Sequence, residues 1–457
     1  MDLKGAEIRN ILEMCMSIGT KNRVPLKVNI PYYQRPYRWD ENRITNLIAD
    51  FYKNRTENAN AEYFVGSVVL VEDSDIANRY DIIDGQQRVT TVFLLNYLRF
   101  LIQRSYVEEM ISTKGSNLDG PLKDLEEIYG DLFGSKYLSA FSKMRSDIIE
   151  KMEPLNDLSE AERDQLYIDI AELYRRTVFL PERDFSDLSK YYSEYENLQA
   201  GFIGSDILAL TYSRKTFNTT LAKALAKVCI IVSKDDNPKL CIIGDGDKTD
   251  ANIMQYTNAI RYEFNAINNL LQLTGKPLQN TREILKFMKE LIENVRFCVI
   301  MTGNERDAYT LFEVLNDRAM EIDDLELIKN LFLKAYCNTS GDMEAIIDKN
   351  IGILDQIWGD EVFTRELSDA HTKLISYLGT LYLTADESAF TNKVERYREI
   401  IENKYLASYS RATNNYRFSK ALNDIRVYQM LRVIIEEYNI PVRKAATACI
   451  KAEDDTH

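Results

Sequence analysis

The segment Asp81-Ile-Ile-Asp84-Gly85-Gln86-Gln87-Arg88-Val89-Thr90-Thr91 gathers two carboxylates, a glycine, two amides, a guanidinium and two hydroxyls at one junction. The apolar residues before it read as a strand and those after it as a helix. Glycine at such a junction lets the backbone turn tightly and lets a ligand approach the amides. The N-terminus of the helix then presents unbonded N–H groups and the positive end of its dipole, which together attract phosphates. Arg88 adds a fork of charged donors, and Thr90 or Thr91 a hydroxyl. Asp84 suits a phosphate site once Mg²⁺ stands between it and the oxygens. Gln86 and Gln87 have the chemistry to orient water or to bind a ligand. A blander reading has equal local logic: a left-handed turn with Asp84 capping the helix. No G-x-x-x-x-G-K-[ST] loop occurs, and Gly244-Asp-Gly-Asp-Lys-Thr249 has the wrong spacing for one.

A second stretch, Ile30-Pro-Tyr-Tyr-Gln-Arg35-Pro-Tyr-Arg38-Trp39, packs four aromatics and two arginines into ten residues. Between positions 21 and 55 eight Lys/Arg face three Asp/Glu. Aromatic faces with interleaved guanidiniums suit stacking on a base and holding phosphates; the alternative is a packed loop with half-buried tyrosines. A third stretch runs from Phe312 to Asn330. It reads as a helix ending near Asn316, a short loop, and a second helix capped by Asp323 or Asp324. Asn316 and Lys329 are polar residues within apolar helices, and simple capping with a solvated lysine explains them equally well.

The elements that position these groups follow from periodicity. Residues 4–18 carry apolar positions at helical spacing and predict a short helix. LKVNIP (26–31) predicts a strand, and a helix is expected from about Asp40. FVGSVVLVE (64–72) and NRYDIID (78–84) read as two strands of a hairpin joined by an acidic turn, with a helix over 89–103. From about 105 to 295 the pattern is mostly helical, as in 158–176 and 281–295. One β element interrupts it, a hairpin of 227–233 and 239–243 with Pro238 in the turn. RFCVIMT (296–302) reads as a strand, followed by helices at 305–316 and 323–336. Residues 341–450 look helical. The expected organisation is a core at 1–105, a mainly helical insertion at 106–295, a completing strand and helices at 296–337, and a helical region at 338–457.

Composition narrows the function. The 457 residues include 18 glycines and 9 prolines, few breakers for the length, and the net charge is −14. A uniformly acidic chain binds nucleic acid only through a local basic patch. Six scattered cysteines without a C-x-x-C pair argue against a zinc ribbon or disulfide scaffold and suit the reducing cytoplasm. Only His371 and His457 are present, which leaves no H-E-x-x-H, Cys₂His₂ or H-N-H motif. His371 lies in a helical pattern, so a Ser-His-Asp hydrolase is not expected. No apolar run is long enough to span a membrane, and the acidic N-terminus is not a signal peptide. Asp245, Asp247 and Asp250 lack the spacing of a calcium loop, and the tyrosine excess reads as helix packing.

Taken in order, I-P-x-Y-Q-R-x-Y-x-W, F-x-G-S-V-V-L, I-I-D-G-Q-Q-R-x-T-T and F-x-x-x-N-D-R-x-x-x-L-x-x-x-D-L-I-K resemble the N-terminal module of GmrSD-type modification-dependent restriction enzymes. Here they occupy Ile30–Trp39, Phe64–Leu70, Ile82–Thr91 and Phe312–Lys329. The resemblance implies an α+β fold with a ParB/sulfiredoxin-like mixed core, a large helical insertion and a helical C-terminal region. It implies that Asp84, Gly85, Gln86, Gln87 and Arg88 bind and hydrolyse a nucleoside triphosphate with Mg²⁺ at Asp84. Thr90 and Thr91 join that site. Tyr33, Gln34, Arg35, Tyr37 and Trp39 form the aromatic-basic motif beside it, and Asn316, Arg318 and Lys329 the late motif.

The implied setting is a modification-dependent restriction or anti-phage system in the cytoplasm. Nucleotide would gate the sensing of foreign DNA or the recruitment of a nuclease. Two departures matter. Ala319 replaces a glycine usual in the late motif, so that loop need not take positive φ. Residues 340–457 lack an H-N-H motif, so the expected nuclease is a separate subunit or a missing C-terminal domain, unless this member acts without one. The competing expectation is a non-hydrolysing, nucleotide-switched DNA-binding or interaction protein.

Overall fold

The computed structural model describes residues 3–16, 27–31, 34, 36–57, 62–73, 79–134, 137–182, 186–204, 208–233, 236–244, 250–272, 275, 277–303 and 344–357, with isolated positions 308, 311, 333, 336 and 423. The chain divides into two compact units. One comprises Met1–Pro31 and Pro36–Phe312, the other Tyr32–Arg35 and Glu313–His457.

The first unit is a mixed α+β body around a six-stranded sheet. Its strands are β1 (Leu3–Arg9), β2 (Lys27–Ile30), β3 (Tyr63–Glu72), β4 (Arg79–Asp84), β5 (Leu210–Tyr212) and β8 (Val295–Thr302), in the spatial order β1-β8-β3-β4-β2-β5. β3 and β4 form the expected antiparallel hairpin. β2 lies parallel to both β4 and β5, and β3 parallel to β8. The carboxyl ends of β4, β2 and β5 therefore face the same way, the end of an α/β sheet where ligands gather.

Helix α1 (Glu41–Glu57) follows β2, and α2 (Gln86–Ser112) follows β4 after a single residue, Gly85. α2 is buried at every position except Arg88, Met110 and Ser112. A helix apolar on all sides must run through the core, and this one does. Its centre is fixed by Tyr97, whose hydroxyl donates to Leu225 O at 2.8 Å, and by the fully buried Arg104. The Arg104 guanidinium donates to Gln199 Oε1 at 2.9 Å and to Tyr195 Oη at 2.6 Å. A buried charge persists when its donors are met, and here neutral oxygens meet both terminal nitrogens, Nη1 and Nη2.

Four helices of the insertion, α3 (Asp119–Phe133), α4 (Leu138–Met152), α5 (Glu160–Val178) and α6 (Leu188–Phe202), share a core of rings. Tyr129 stacks on Phe141 at 4.1 Å, and Phe202 on Phe179 at 4.7 Å. Among the described residues the tyrosines are thus largely packing residues. α5 starts on a capping box, with Ser159 N donating to Glu162 Oε2 at 2.8 Å. After β5 come α7 (Lys215–Ala226) and the hairpin β6 (Val228–Ser233) and β7 (Asp236–Ile242). Helices α8 (Ala251–Leu271) and α9 (Pro277–Asn294) then lead into β8.

Two expectations change. Residues 4–18 are not one helix: Leu3–Arg9 pair antiparallel with β8, and a π-helical turn spans Leu12–Met16. The apolar spacing was real, but pairing with β8 prevails over local periodicity. Pro238 is not in the turn but inside β7. A strand of a two-stranded hairpin has one unpaired side, so a missing N–H is tolerated there.

Of the second unit, helix Glu344–Ile357 is described, with Asn350 Nδ2 donating to Tyr336 Oη at 2.8 Å. The expected helices at 305–316 and 323–336, and most of 341–450 including His371, lie outside the described residues. Among the described residues Cys229, Cys241 and Cys298 are free thiols, and no helix is long and apolar enough to cross a membrane.

Candidate functional site

Gly85 makes the turn from β4 into α2 with φ 90 and ψ 4, a left-handed conformation that glycine adopts without strain. A Cβ at this position would lie 2.8 Å from Val68 Cγ2 and 3.0 Å from Ser67 O on β3. The turn is pressed against the neighbouring strand, so only glycine fits. The N-cap residue of α2, Gly85, has no side chain to bond the helix amides, and the first turn carries no acidic residue.

Asp84 pairs with Arg88, four residues on. Nη2 of Arg88 donates to Asp84 Oδ2 at 3.2 Å, and Nη1 donates to Val65 O at 3.4 Å. The two side chains are 23% and 20% exposed, so the pair sits at the rim of the protein rather than in bulk water or the core. The guanidinium fits here because residue 66 has no side chain: a Cβ on Gly66 would overlap Nη1 and lie 3.2 Å from Cζ.

Gln87 points elsewhere. Its Oε1 accepts from Arg38 N at 2.7 Å, and its Nε2 donates to Pro36 O at 3.2 Å. Because one partner is only a donor and the other only an acceptor, the amide orientation is forced. Pro36–Trp39 and the glycine turn are thus one structure. Tyr37, only 2% exposed, bonds through its hydroxyl to Thr91 Oγ1 at 2.8 Å and stacks on Tyr256 at 5.7 Å. Thr91 Oγ1 also reaches Gln87 O at 2.9 Å. Tyr256 donates to Tyr212 Oη at 2.8 Å, and Tyr212 bonds to Thr90. Trp39 O accepts from Gln255 Nε2 at 2.9 Å. The hydroxyls of Thr90 and Thr91 face this interior network, and burial pushes the phenol of Tyr37 well above its ordinary range.

Below the network lies Glu263 on α8, fully buried. Neither carboxyl oxygen has a hydrogen-bond partner among the described residues. Burial alone raises its carboxyl well above the ordinary carboxylate range. Its field in turn helps to raise Tyr37.

The structure thus brings Asp84, Gly85, Gln86, Gln87, Arg88, Thr90, Thr91, Tyr37 and Trp39 to one corner. Gln34 is half-buried and belongs to the second unit. Tyr33, Arg35, Asn316, Arg318 and Lys329 lie outside the described residues. Sequence reading missed the contributions of β5 and α8. Tyr212, Gln255, Tyr256 and Glu263 brace the corner. Arg214 and Lys215 begin α7 at the neighbouring carboxyl end of β5. The run Leu-Thr-Tyr-Ser-Arg-Lys-Thr before α7 repeats the strand-to-helix pattern and was the signal available for them.

Among the described residues no group of three or more His, Cys, Asp or Glu could hold a metal. Asp84 alone therefore offers one carboxylate. That fits Mg²⁺ brought by a substrate, because Mg²⁺ in nucleotide sites commonly uses one or two carboxylates plus phosphate oxygens and water.

Residues 17–333 match the model of the family described as GmrSD restriction endonuclease, N-terminal domain. No curated protein matches the chain.

Proposed function

The chain belongs to the family of GmrSD restriction endonuclease N-terminal domains, and from that premise we propose that its ParB-like core binds and hydrolyses a nucleoside triphosphate to control restriction of foreign, modified DNA. A component of a restriction or anti-phage system is what this membership suggests. The nucleotide step rests on the N-terminus of α2, opened by the left-handed Gly85 and flanked by Asp84 and Arg88.

In this reading the phosphates lie over Gly85 and the first amides of α2, where the helix dipole and N–H groups favour negative charge. Arg88, poised at the rim, turns from Asp84 to the phosphates and stabilises charge that develops on them. Asp84, released from Arg88, would hold Mg²⁺, which would offset the charge of the phosphates. Gln86 orients the attacking water. Thr90, Thr91 and Tyr37 hold the corner rigid from below. DNA cleavage is assigned to an H-N-H nuclease carried by a partner subunit or a further domain, because these 457 residues hold two histidines.

A second reading has its own observation. Gln87 spends both amide atoms on Pro36 and Arg38, which leaves one fewer group for water and suits a nucleotide-operated switch without turnover. Phosphate release under multiple turnover with ATP, GTP, CTP and UTP, each with Mg²⁺, separates the two. Sustained release with one or more of them is expected. Stoichiometric binding without release would favour the switch, and binding of none would remove the nucleotide reading.

A further inference from the structure

The segment Pro36–Trp39 is held more firmly than a connection between a strand and a helix requires. Gln87 of α2 binds Pro36 O and Arg38 N, at 3.2 and 2.7 Å. Gln255 of α8 binds Trp39 O at 2.9 Å. Tyr37 is locked between Thr91 and the ring of Tyr256. Two helices thus pin the backbone at Pro36, Arg38 and Trp39, and the side chain of Tyr37 between them. Within this fixed stretch Tyr37 is buried and Trp39 half-buried, while Arg38 is exposed. Among the described residues no carboxylate pairs with the Arg38 guanidinium.

A cation on a rigid backbone beside an anion-attracting helix end differs from an ordinary surface arginine. Its amide is hydrogen-bonded to the side chain next to Arg88, so its position relative to the turn at Gly85 is set before any ligand arrives. Fixing the backbone beforehand lowers the ordering cost of a contact made later. Arg38 is one of the two arginines of the aromatic-basic stretch, at the position that I-P-x-Y-Q-R-x-Y-x-W leaves open between Tyr37 and Trp39.

We propose that Arg38 contacts the phosphates of the nucleotide bound at Gly85, and that Gln87 is the positioning residue that presents it. This rests on the nucleotide reading above and adds to it a second guanidinium besides Arg88. A bidentate fork on a polyphosphate strengthens binding of substrate and transition state alike, so its signature is in KM rather than kcat.

The test uses the full chain, with Mg²⁺ and fluorescent mant-ATP and mant-GTP for binding, and phosphate release for turnover. Arg38→Ala is expected to raise Kd and KM about tenfold with kcat within about twofold. Arg38→Lys is expected to recover part of the loss. Gln87→Ala is expected to raise KM comparably, and Gln87→Ala combined with Arg38→Ala to cost clearly less than the sum of the two. Melting temperature reports whether Gln87→Ala still folds; Arg38→Ala, being exposed, keeps the inference testable by itself. Wild-type protein that binds neither probe overturns the nucleotide reading and this inference with it. Wild-type binding that Arg38→Ala leaves unchanged overturns this inference alone. So does additivity of the double variant, or a loss by Arg38→Ala confined to binding of a DNA fragment.

Discussion

The guanidinium of Arg88 occupies the space that a side chain on Gly66 would fill. The two residues stand on different elements, α2 and β3, yet a Cβ at position 66 would overlap Nη1. Gly66 has φ 132, and the pairing of β3 with β8 is irregular between Phe64 and Gly66. The glycine of the F-x-G-S pattern and the arginine of the D-G-Q-Q-R pattern are therefore one device: a strand irregularity that makes a seat for a charged side chain.

Gly66→Ala should consequently act on turnover as well as on stability. The new methyl group expels Arg88 from its seat, and alanine is strained at this φ by about 1–3 kcal/mol. A lowered melting temperature is expected, with NTP turnover falling toward the level of Arg88→Ala. Combining Gly66→Ala with Arg88→Ala should destabilise less than the sum of the single changes, because the second removes the overlap. Strict additivity in urea denaturation would contradict the contact.

Arg88→Ala tests the chemistry more directly. The pair with Asp84 is partly exposed, and such pairs contribute about 1 kcal/mol or less. The fold should survive, with circular dichroism unchanged and a small drop in melting temperature. Turnover should be lost. Asp84→Asn, close in shape, should keep the fold and abolish the dependence of turnover on Mg²⁺. An Arg88→Ala enzyme that hydrolyses nucleotide at the wild-type rate would falsify the assignment.

The corner itself was legible in the sequence because its signals are local. A β-branched run, a glycine and an apolar helix announce β4, Gly85 and α2 without tertiary information. The hairpin β3–β4 was equally readable. What escaped was whatever depends on distant strands. Leu3–Arg9 alternate poorly and carry helical spacing, and they become a strand only because β8, almost 300 residues later, offers an edge. The brace of Tyr212, Tyr256 and Glu263 was hidden for the same reason: each is an ordinary residue on its own element. Thr91 and Tyr37 looked like ligand groups, and only the structure shows that they bond to each other.

Gly85→Ala should be the most damaging single change at the turn. The added methyl meets Val68 Cγ2 at 2.8 Å and the backbone oxygen of Ser67 at 3.0 Å, on a backbone at φ 90. The side-chain contact can yield but the carbonyl cannot. Val68→Ala in the same chain should therefore rescue little. The expected readout is a melting temperature lowered by several degrees or loss of soluble protein. A stable Gly85→Ala protein would mean that the turn is looser than this packing indicates.

Glu263 gives a prediction about pH. Burial raises its carboxyl, so its folded pKa stands above the unfolded value of about 4.3. A raised carboxyl stabilises the fold fully below the unfolded pKa. As pH rises past that value the unfolded chain ionises first, and stability falls until the folded pKa is reached. Glu263→Gln cannot ionise, so its stability relative to wild type should improve steadily as pH rises from about 4.3. Glu263→Met goes further, since it also removes two oxygens without partners among the described residues. It should stabilise by about 1–3 kcal/mol near neutral pH. Urea midpoints of the three proteins at several pH values between acid and neutral check this. Curves that stay parallel across that range would show that the carboxyl finds a partner or a route to solvent, and would detach Glu263 from the packing under Tyr37.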